Sequence, residues 1–212
     1  MSFEIQLRDR ITIFCGIRAS GKSHMAKWLI KNSLHEFKKV YVICPTESIK
    51  PFFSEITTPE CVHTSWDEEW VKNLSERLTR INTGKSEEEV EHCLLVLDDI
   101  FGDFNPHTSK SLRSIISRSR HYGLGICICI QQLYMAPPIC RCNCNVLVAG
   151  QQSSMAQSIL CDEFCVRISK KEFIELYQKN TLDHSFFCIN NSSVLSEDPN
   201  ELYGCLKAPS DI

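Results

Sequence analysis

The run Gly16-Ile17-Arg18-Ala19-Ser20-Gly21-Lys22-Ser23 constrains this chain more than any other feature. It fits G-x-x-x-x-G-K-[ST], a phosphate-binding loop that works only where a strand ends and a helix begins. The glycines let backbone N–H groups close on phosphate oxygens. Lys22 has the length to reach β- and γ-phosphates, and Ser23 offers a hydroxyl to Mg²⁺. The intervening Ile17, Arg18, Ala19 and Ser20 contribute backbone to the same cradle. The flanks supply the required context. Residues 10–15 read as a strand with Ile11, Ile13 and Phe14 apolar, and residues 23–32 read as a helix carrying Met25, Ala26, Trp28, Leu29 and Ile30.

A chain of 212 residues is one domain, or one domain with a tail. Further strands are expected at 40–44, 93–97, 124–130, 145–149 and 185–189, and helices at 66–81, 106–121, 153–160 and 170–179. Strands alternating with helices predict an α/β fold, a P-loop NTPase with a mostly parallel central sheet flanked by helices on both faces. Near-continuous apolar strands such as Leu94-Leu95-Val96-Leu97 suit a sheet buried on both sides. Residues 1–190 form the expected ATPase domain. Residues 191–212 are polar, carry Pro199 and Pro209, and read as a tail or surface strap.

The strand at 93–97 runs into Asp98-Asp99, the Walker B pattern. A strand ending beside the loop delivers carboxylates to the metal at the sheet's C-terminal edge. Asp98 is the candidate Mg²⁺ ligand together with Ser23. Asp99 is the candidate for orienting or deprotonating an attacking water. Gln131, at the tip of the strand 124–130, is placed to sense a γ-phosphate.

The N-terminal residues are polar, without the apolar core of a signal peptide, and no apolar run nears the ~20 residues of a membrane span. A cytoplasmic protein is expected. Thirteen cysteines, an odd number without an export signal, read as reduced and mostly buried. Cys140, Cys142 and Cys144 are suggestive of a zinc site, but no C-x-x-C pair accompanies them.

Net charge is −3, unevenly distributed. Residues 104–161 carry Lys110, Arg113, Arg118, Arg120 and Arg141 with no acid at all. Cations without local partners want an external anion, either a nucleotide in a neighbouring subunit or a nucleic-acid backbone. On a helix running to 121, Arg113 and Arg120 share a face and Arg118 lies on the opposite flank.

Taken in order, the phosphate loop, Leu95-Val96-Leu97-Asp98-Asp99-Ile100, Arg118-Ser119-Arg120-His121 before an apolar strand ending in Gln131-Gln132, and Pro137-Pro138-Ile139-Cys140-Arg141-Cys142-Asn143 resemble the poxvirus-type genome-packaging ATPases of large DNA viruses and virophages, in the FtsK–HerA group of P-loop motors. The resemblance covers about residues 10–190. It implies a homo-oligomeric ring, a pentamer or hexamer, that uses ATP and Mg²⁺ to thread double-stranded DNA into a capsid through a portal or capsid vertex component. It also implies a place in the host cytoplasm or viral factory, with association to the virion. Arg118, Arg120 and Arg141 become candidates for an arginine finger reaching the next subunit's ATP. Two other readings stay open at this level. A nucleoside or nucleotide kinase shares the loop, but the second Asp and the tip Gln suit attack by water. A non-enzymatic nucleotide-binding assembly scaffold would not need Lys22, Ser23, Asp98 and Asp99 all in place.

Overall fold

The computed structural model describes residues 3–46, 50–196 and 198–209. The chain runs β1 (Ile11–Cys15), α1 (Lys22–Asn32), β2 (Lys39–Ile43), α2 (Lys50–Phe53), β3 (Val62–His63), α3 (Glu68–Asn82), β4 (Cys93–Asp98), α4 (Lys110–Arg118), β5 (Leu124–Ile130), α5 (Pro138–Cys142), β6 (Val146–Ala149), α6 (Ser154–Phe164), α7 (Lys170–Lys179), β7 (Ser185–Asn190), α8 (Pro199–Leu202) and β8 (Tyr203–Lys207). All eight strands join one sheet in the order β3-β2-β4-β5-β1-β6-β7-β8. The pairings from β3 through β6 are parallel, and β7 and β8 add to one edge antiparallel.

The pleat explains the composition of the strands. In β5, Ile126, Ile128 and Ile130 point to one face and Cys127 and Cys129 to the other, all buried. The first face is covered by α3, α4, α6 and α7 through residues such as Leu74, Ile115, Leu160 and Phe173. The second is covered by α1 through Met25, Leu29 and Ile30, and by the N-terminal segment through Ile5 and Leu7. A sheet with helices on both faces is therefore present, and most cysteines serve it as small hydrophobes. Burial pushes the Cys127 and Cys129 thiols up, away from the reactive thiolate.

Helix starts follow capping chemistry. The Asp67 carboxylate accepts from the N–H groups of Glu69 and Trp70 to open α3, and the Ser109 hydroxyl accepts from Leu112 N–H to open α4. That cap corrects one expectation. The helix predicted over 106–121 is confined to Lys110–Arg118, and Ser119–Tyr122 is a separate 3₁₀ turn. The shared face of Arg113 and Arg120 is lost with it, because the two no longer sit on one α-helix.

The C-terminal expectation also changes. Residues 191–212 contain β8, which pairs with β7 from Ser185↔Lys207 to Ile189↔Tyr203. Alternating burial along Tyr203–Lys207 marks an edge strand with one face packed. The Tyr203 hydroxyl accepts from Val166 N–H at 2.8 Å, tying this strand to the loop before α7. Among the described residues, no helix is long and apolar enough to cross a membrane.

Gly125 shows how tightly the second face is closed. A Cβ there would overlap the Leu7 carbonyl oxygen, so the N-terminal segment lies directly on the β5 backbone. Gly125→Ala is expected to destabilise by about 2 kcal/mol, roughly 4–8 °C in thermal midpoint for a chain of this size. Thermal unfolding followed by circular dichroism checks it.

Candidate nucleotide site

The phosphate loop leaves the C-terminal end of β1, in the middle of the sheet. Its base is held by the last residue of β5 and by the segment that follows β6. Gly16 N–H donates to the Ile130 carbonyl at 3.2 Å and Ile17 N–H donates to the Gln151 carbonyl at 2.9 Å. The turn needs its small residues. A Cβ on Gly16 would overlap the Ser20 hydroxyl, and Gly21 adopts φ 89° as it caps α1. Ala19 is also left-handed, at φ 63°, a conformation that costs an alanine energy and is characteristic of functional loops. The Ser20 hydroxyl is buried with no hydrogen-bond partner among the described residues.

Across the loop stand the two carboxylates. Between β1 and β4 lies one strand, β5, so the end of β4 faces the start of α1. The Lys22 ammonium donates to Asp99 Oδ2 at 3.2 Å, and the Ser23 hydroxyl approaches Asp98 Oδ1 at 3.4 Å. Asp99 is held left-handed, at φ 50°, with its N–H donating to the Cys129 carbonyl at 3.0 Å. Its second oxygen, Oδ1, is buried and has no partner among the described residues. Burial holds the Asp98 carboxyl above the usual carboxylate range. The Lys22 ammonium pulls it back down, and the neighbouring Asp99 adds to the rise.

Two residues at this edge escaped the reading of the sequence. The Cys44 thiol donates to Asp98 Oδ2 at 3.6 Å from the end of β2, and burial pushes that thiol up to about 11. Gln152, just after β6, donates from Nε2 to the Gln131 carbonyl at 3.0 Å while its own Oε1 is buried and unpartnered. Their only signal was position, since each follows the last residue of a strand by one to three residues. Gln131 itself sits at the tip of β5, between the loop and the carboxylates, with an exposed side chain.

The arginines lie elsewhere. α4 runs back along the sheet, so Arg118 and Arg120 sit just before β5, whose first residue Leu124 pairs with Cys93 at the start of β4. That is the edge opposite the phosphate loop, about 20 Å away along seven residues of strand. Both are exposed, and neither they nor Lys110 have an ion pair among the described residues. Arg141 departs from the expectation of a free finger. Its Nε donates to Glu163 at 2.8 Å and its Nη1 to the Ala136 carbonyl. The acid-free stretch thus finds one partner just beyond its end. Arg113 is turned to the His107 carbonyl, at 2.9 Å. Cys140 and Cys144 are buried while Cys142 is exposed, and among the described residues no three His, Cys, Asp or Glu side chains converge as metal ligands.

The residues fit a nucleoside triphosphate with Mg²⁺. A buried hydroxyl and a buried carboxylate oxygen have no partner, and a lysine and a serine face paired carboxylates across a loop closed by glycines. Ser23 and Asp98 are the pair that would hold the cation, which would offset charge on the phosphates.

Comparison with known proteins agrees with this geometry. The family described as Poxvirus A32 protein matches residues 6–211. Uncharacterized protein 075L of Invertebrate iridescent virus 6 is 26% identical over 193 residues, which span 90% of this chain and 73% of the relative. Among solved structures, the genome packaging NTPase B204 of Sulfolobus turreted icosahedral virus 2, in complex with AMPPCP, superposes with a TM-score of 0.67 at 16% identity, covering 95% of this chain and 98% of that one. EssC (ATPases 2 and 3) from Geobacillus thermodenitrificans gives 0.53 at 13% identity, over 69% of this chain and 33% of that one. At such identities the structural likeness speaks for a shared fold.

The raised Asp98 carboxyl makes a signed prediction. A carboxyl raised in the folded state favours folding at low pH, and that contribution is lost as pH rises through its folded value. At neutral pH the buried charge therefore costs stability. Asp98→Asn is expected to raise the midpoint of the nucleotide-free protein by a few degrees at neutral pH and to flatten its decline as pH rises from the ordinary carboxylate range, about 4, to neutral. Differential scanning fluorimetry across that range checks it.

Proposed function

The chain belongs to the poxvirus A32 protein family, and we propose that it is an ATP-hydrolysing motor that moves double-stranded DNA into a viral capsid. The observation that carries the hydrolytic half is the pairing of Lys22 with Asp99 across β5, with Ser23 beside Asp98. A lysine that reaches terminal phosphates and a second carboxylate at the same point are the groups that phosphoryl transfer to water requires. The packaging half is supported by the family and by the fold shared with a genome packaging NTPase.

In this reading the loop from Gly16 to Ser23 wraps the phosphates with backbone N–H groups, and the Ser20 hydroxyl finds its acceptor there. Lys22 moves from Asp99 to the terminal phosphate oxygens. Asp99, relieved of its cation, is then free to accept a proton from water. Asp98, with Ser23, would hold the cation, whose charge would offset the burial of its carboxylate. Gln131 lies between the two groups, where a terminal phosphate would be felt by strand β5. A kinase would need this same space for an acceptor hydroxyl rather than for water.

The distance between the arginines and their own loop supports reading the motor as an assembly. Arg118 and Arg120 lie too far from their own subunit's site to serve it, and in this reading their anion is a neighbour's triphosphate. A ring of such subunits places each site between two chains. Arg141 supports that edge through Glu163 rather than acting as the finger. DNA, carrying one charge per ~1.7 Å of duplex axis, is the second anion that Lys110 and Arg113 fit. A portal or capsid vertex component would anchor the ring. This work is done in the host cytoplasm or viral factory and at the virion.

Two outcomes test the chemistry. Asp99→Asn removes the competitor for Lys22, so nucleotide affinity should rise a few-fold while turnover falls by roughly a hundredfold or more. Equal loss of both would break the link between them. ATPase rate measured against protein concentration, with and without duplex DNA, should rise with assembly. Arg118→Ala or Arg120→Ala should lower the assembled rate by about a thousandfold at unchanged nucleotide affinity. A dilute monomer as fast as the assembly refutes the trans arginine.

A further inference from the structure

A cleft of about 390 Å³ lies at the edge of the sheet away from β7 and β8, between α3 and the strands β2 and β3. β3 stands four strand positions from β1, ~19 Å across the sheet, and the cleft shares no residue with the phosphate loop. Its wall on α3 is a single stripe. Trp70, Asn73, Arg77 and Arg80 recur every three or four residues, on one helix face over ~15 Å. Tyr41 from β2 and His63 from β3 complete the walls.

Three aromatic rings meet here. The Trp70 ring centroid lies 5.7 Å from that of Tyr41, edge-on at 71°, and 4.1 Å from that of His63, tilted at 49°. Burial holds His63 below the usual histidine range, so its ring is neutral at pH 7. Two cations stand over the Tyr41 ring, the Arg77 guanidinium at 5.5 Å and the Lys39 ammonium at 5.7 Å. Arg77 also donates to the Tyr41 hydroxyl, which fixes the plane of its guanidinium. Lys39, Arg77 and Arg80 are exposed, and none of them has an ion pair among the described residues. Scattered surface cations need no partner, but three gathered on aromatic rings make a surface for a planar anion.

We propose that this cleft seats an unpaired base of a single-stranded nucleic acid, with the adjoining phosphate held by Arg77, Arg80 and Lys39. Aromatic platforms flanked by cations take single strands because every base has a π-face and every nucleotide a charge. The rim decides against an acidic peptide. Glu60 and Glu76 stand there with Asn73, and Glu76 is turned to Lys72 at 3.7 Å. Carboxylates repel acidic side chains, whereas they accept from the exocyclic amino group of cytosine or adenine. Intact duplex is a poor fit, because its bases are stacked inside and out of reach of such walls. The cleft is therefore distinct from the surfaces read above as duplex contacts, and a strand end or gap in the duplex would supply the base.

Fluorescence anisotropy with a short labelled oligodeoxycytidylate tests this, with the phosphate loop occupied by a non-hydrolysable ATP analogue. The proposal does not rest on that loop, so the same outcomes hold with no analogue present. Binding should quench tryptophan fluorescence, and Trp70→Leu should remove the quench and weaken binding about tenfold. Arg80→Ala should weaken it about threefold and lower its salt dependence, at an unchanged thermal midpoint. Lys171→Ala, the same charge lost from α7, should do neither. Cytidylate should bind more tightly than thymidylate of equal length. Binding unaffected by both Trp70→Leu and Arg80→Ala overturns the proposal. So does a duplex of the same length, or polyglutamate, that binds as tightly and loses as much in those variants. Cytidine monophosphate binding as tightly as the oligonucleotide assigns the cleft to a free nucleotide and overturns the strand.

Discussion

The ammonium of Lys22 reaches Asp99 at 3.2 Å, and it does so only because β5 alone separates β1 from β4. One intervening strand spans ~10 Å from β1 to β4, a gap that a lysine stem and an aspartate from facing strand ends can close. With β4 directly beside β1 the groups would crowd, and with two strands between them they would miss. The same order puts Gln131 in the gap, and it sends β7 and β8 to the other flank, where a large cleft lies. The rest of the site is arranged around this contact.

Polar groups at that edge are left incomplete. Ser20 Oγ, Asp99 Oδ1 and Gln152 Oε1 are buried without partners among the described residues. Each such atom costs on the order of 1–3 kcal/mol when nothing satisfies it. Left-handed Ala19 and Asp99 add backbone strain in the same few ångströms. The cost is offset by the two cores, where strand residues such as Phe14, Leu97 and Ile128 are wholly buried. A rigid sheet buried on both faces can hold such a site, whereas loops with few apolar contacts would relax and satisfy these atoms locally.

Charge is organised by the direction of α4. The helix runs from Lys110 toward the edge where β5 begins, so Lys110 at its start is separated from Arg118 at its end by its length, with Arg113 between them. A block that reads as one basic stretch is divided between two surfaces. Arg141, in the same block by sequence, is taken out of it by Glu163 from α6.

The P-loop was legible in residues 16–23 because its constraints are local. Glycines at fixed spacing, a lysine and a serine after them, and apolar periods of two and then 3.6 on either side depend on neighbours within a few residues. The strand ending in Asp98-Asp99 was legible for the same reason, as were the parallel sheet and the burial of most cysteines. Short range also explains the errors. Ser109 stops α4 from starting at 106, and β8 is a strand only because β7 offers it a partner at the sheet edge. A five-residue edge strand carries little apolar pattern of its own. Cys44 and Gln152 reached the site by strand order, Arg141 lost its freedom to a residue 22 positions away, and the C-terminal segment came to wall a cleft. The sequence by itself determined a phosphate loop, its helix and its carboxylates. Only the tertiary structure decided what faces them, because distance across a sheet depends on the order of strands, and that order is set by packing many residues at once.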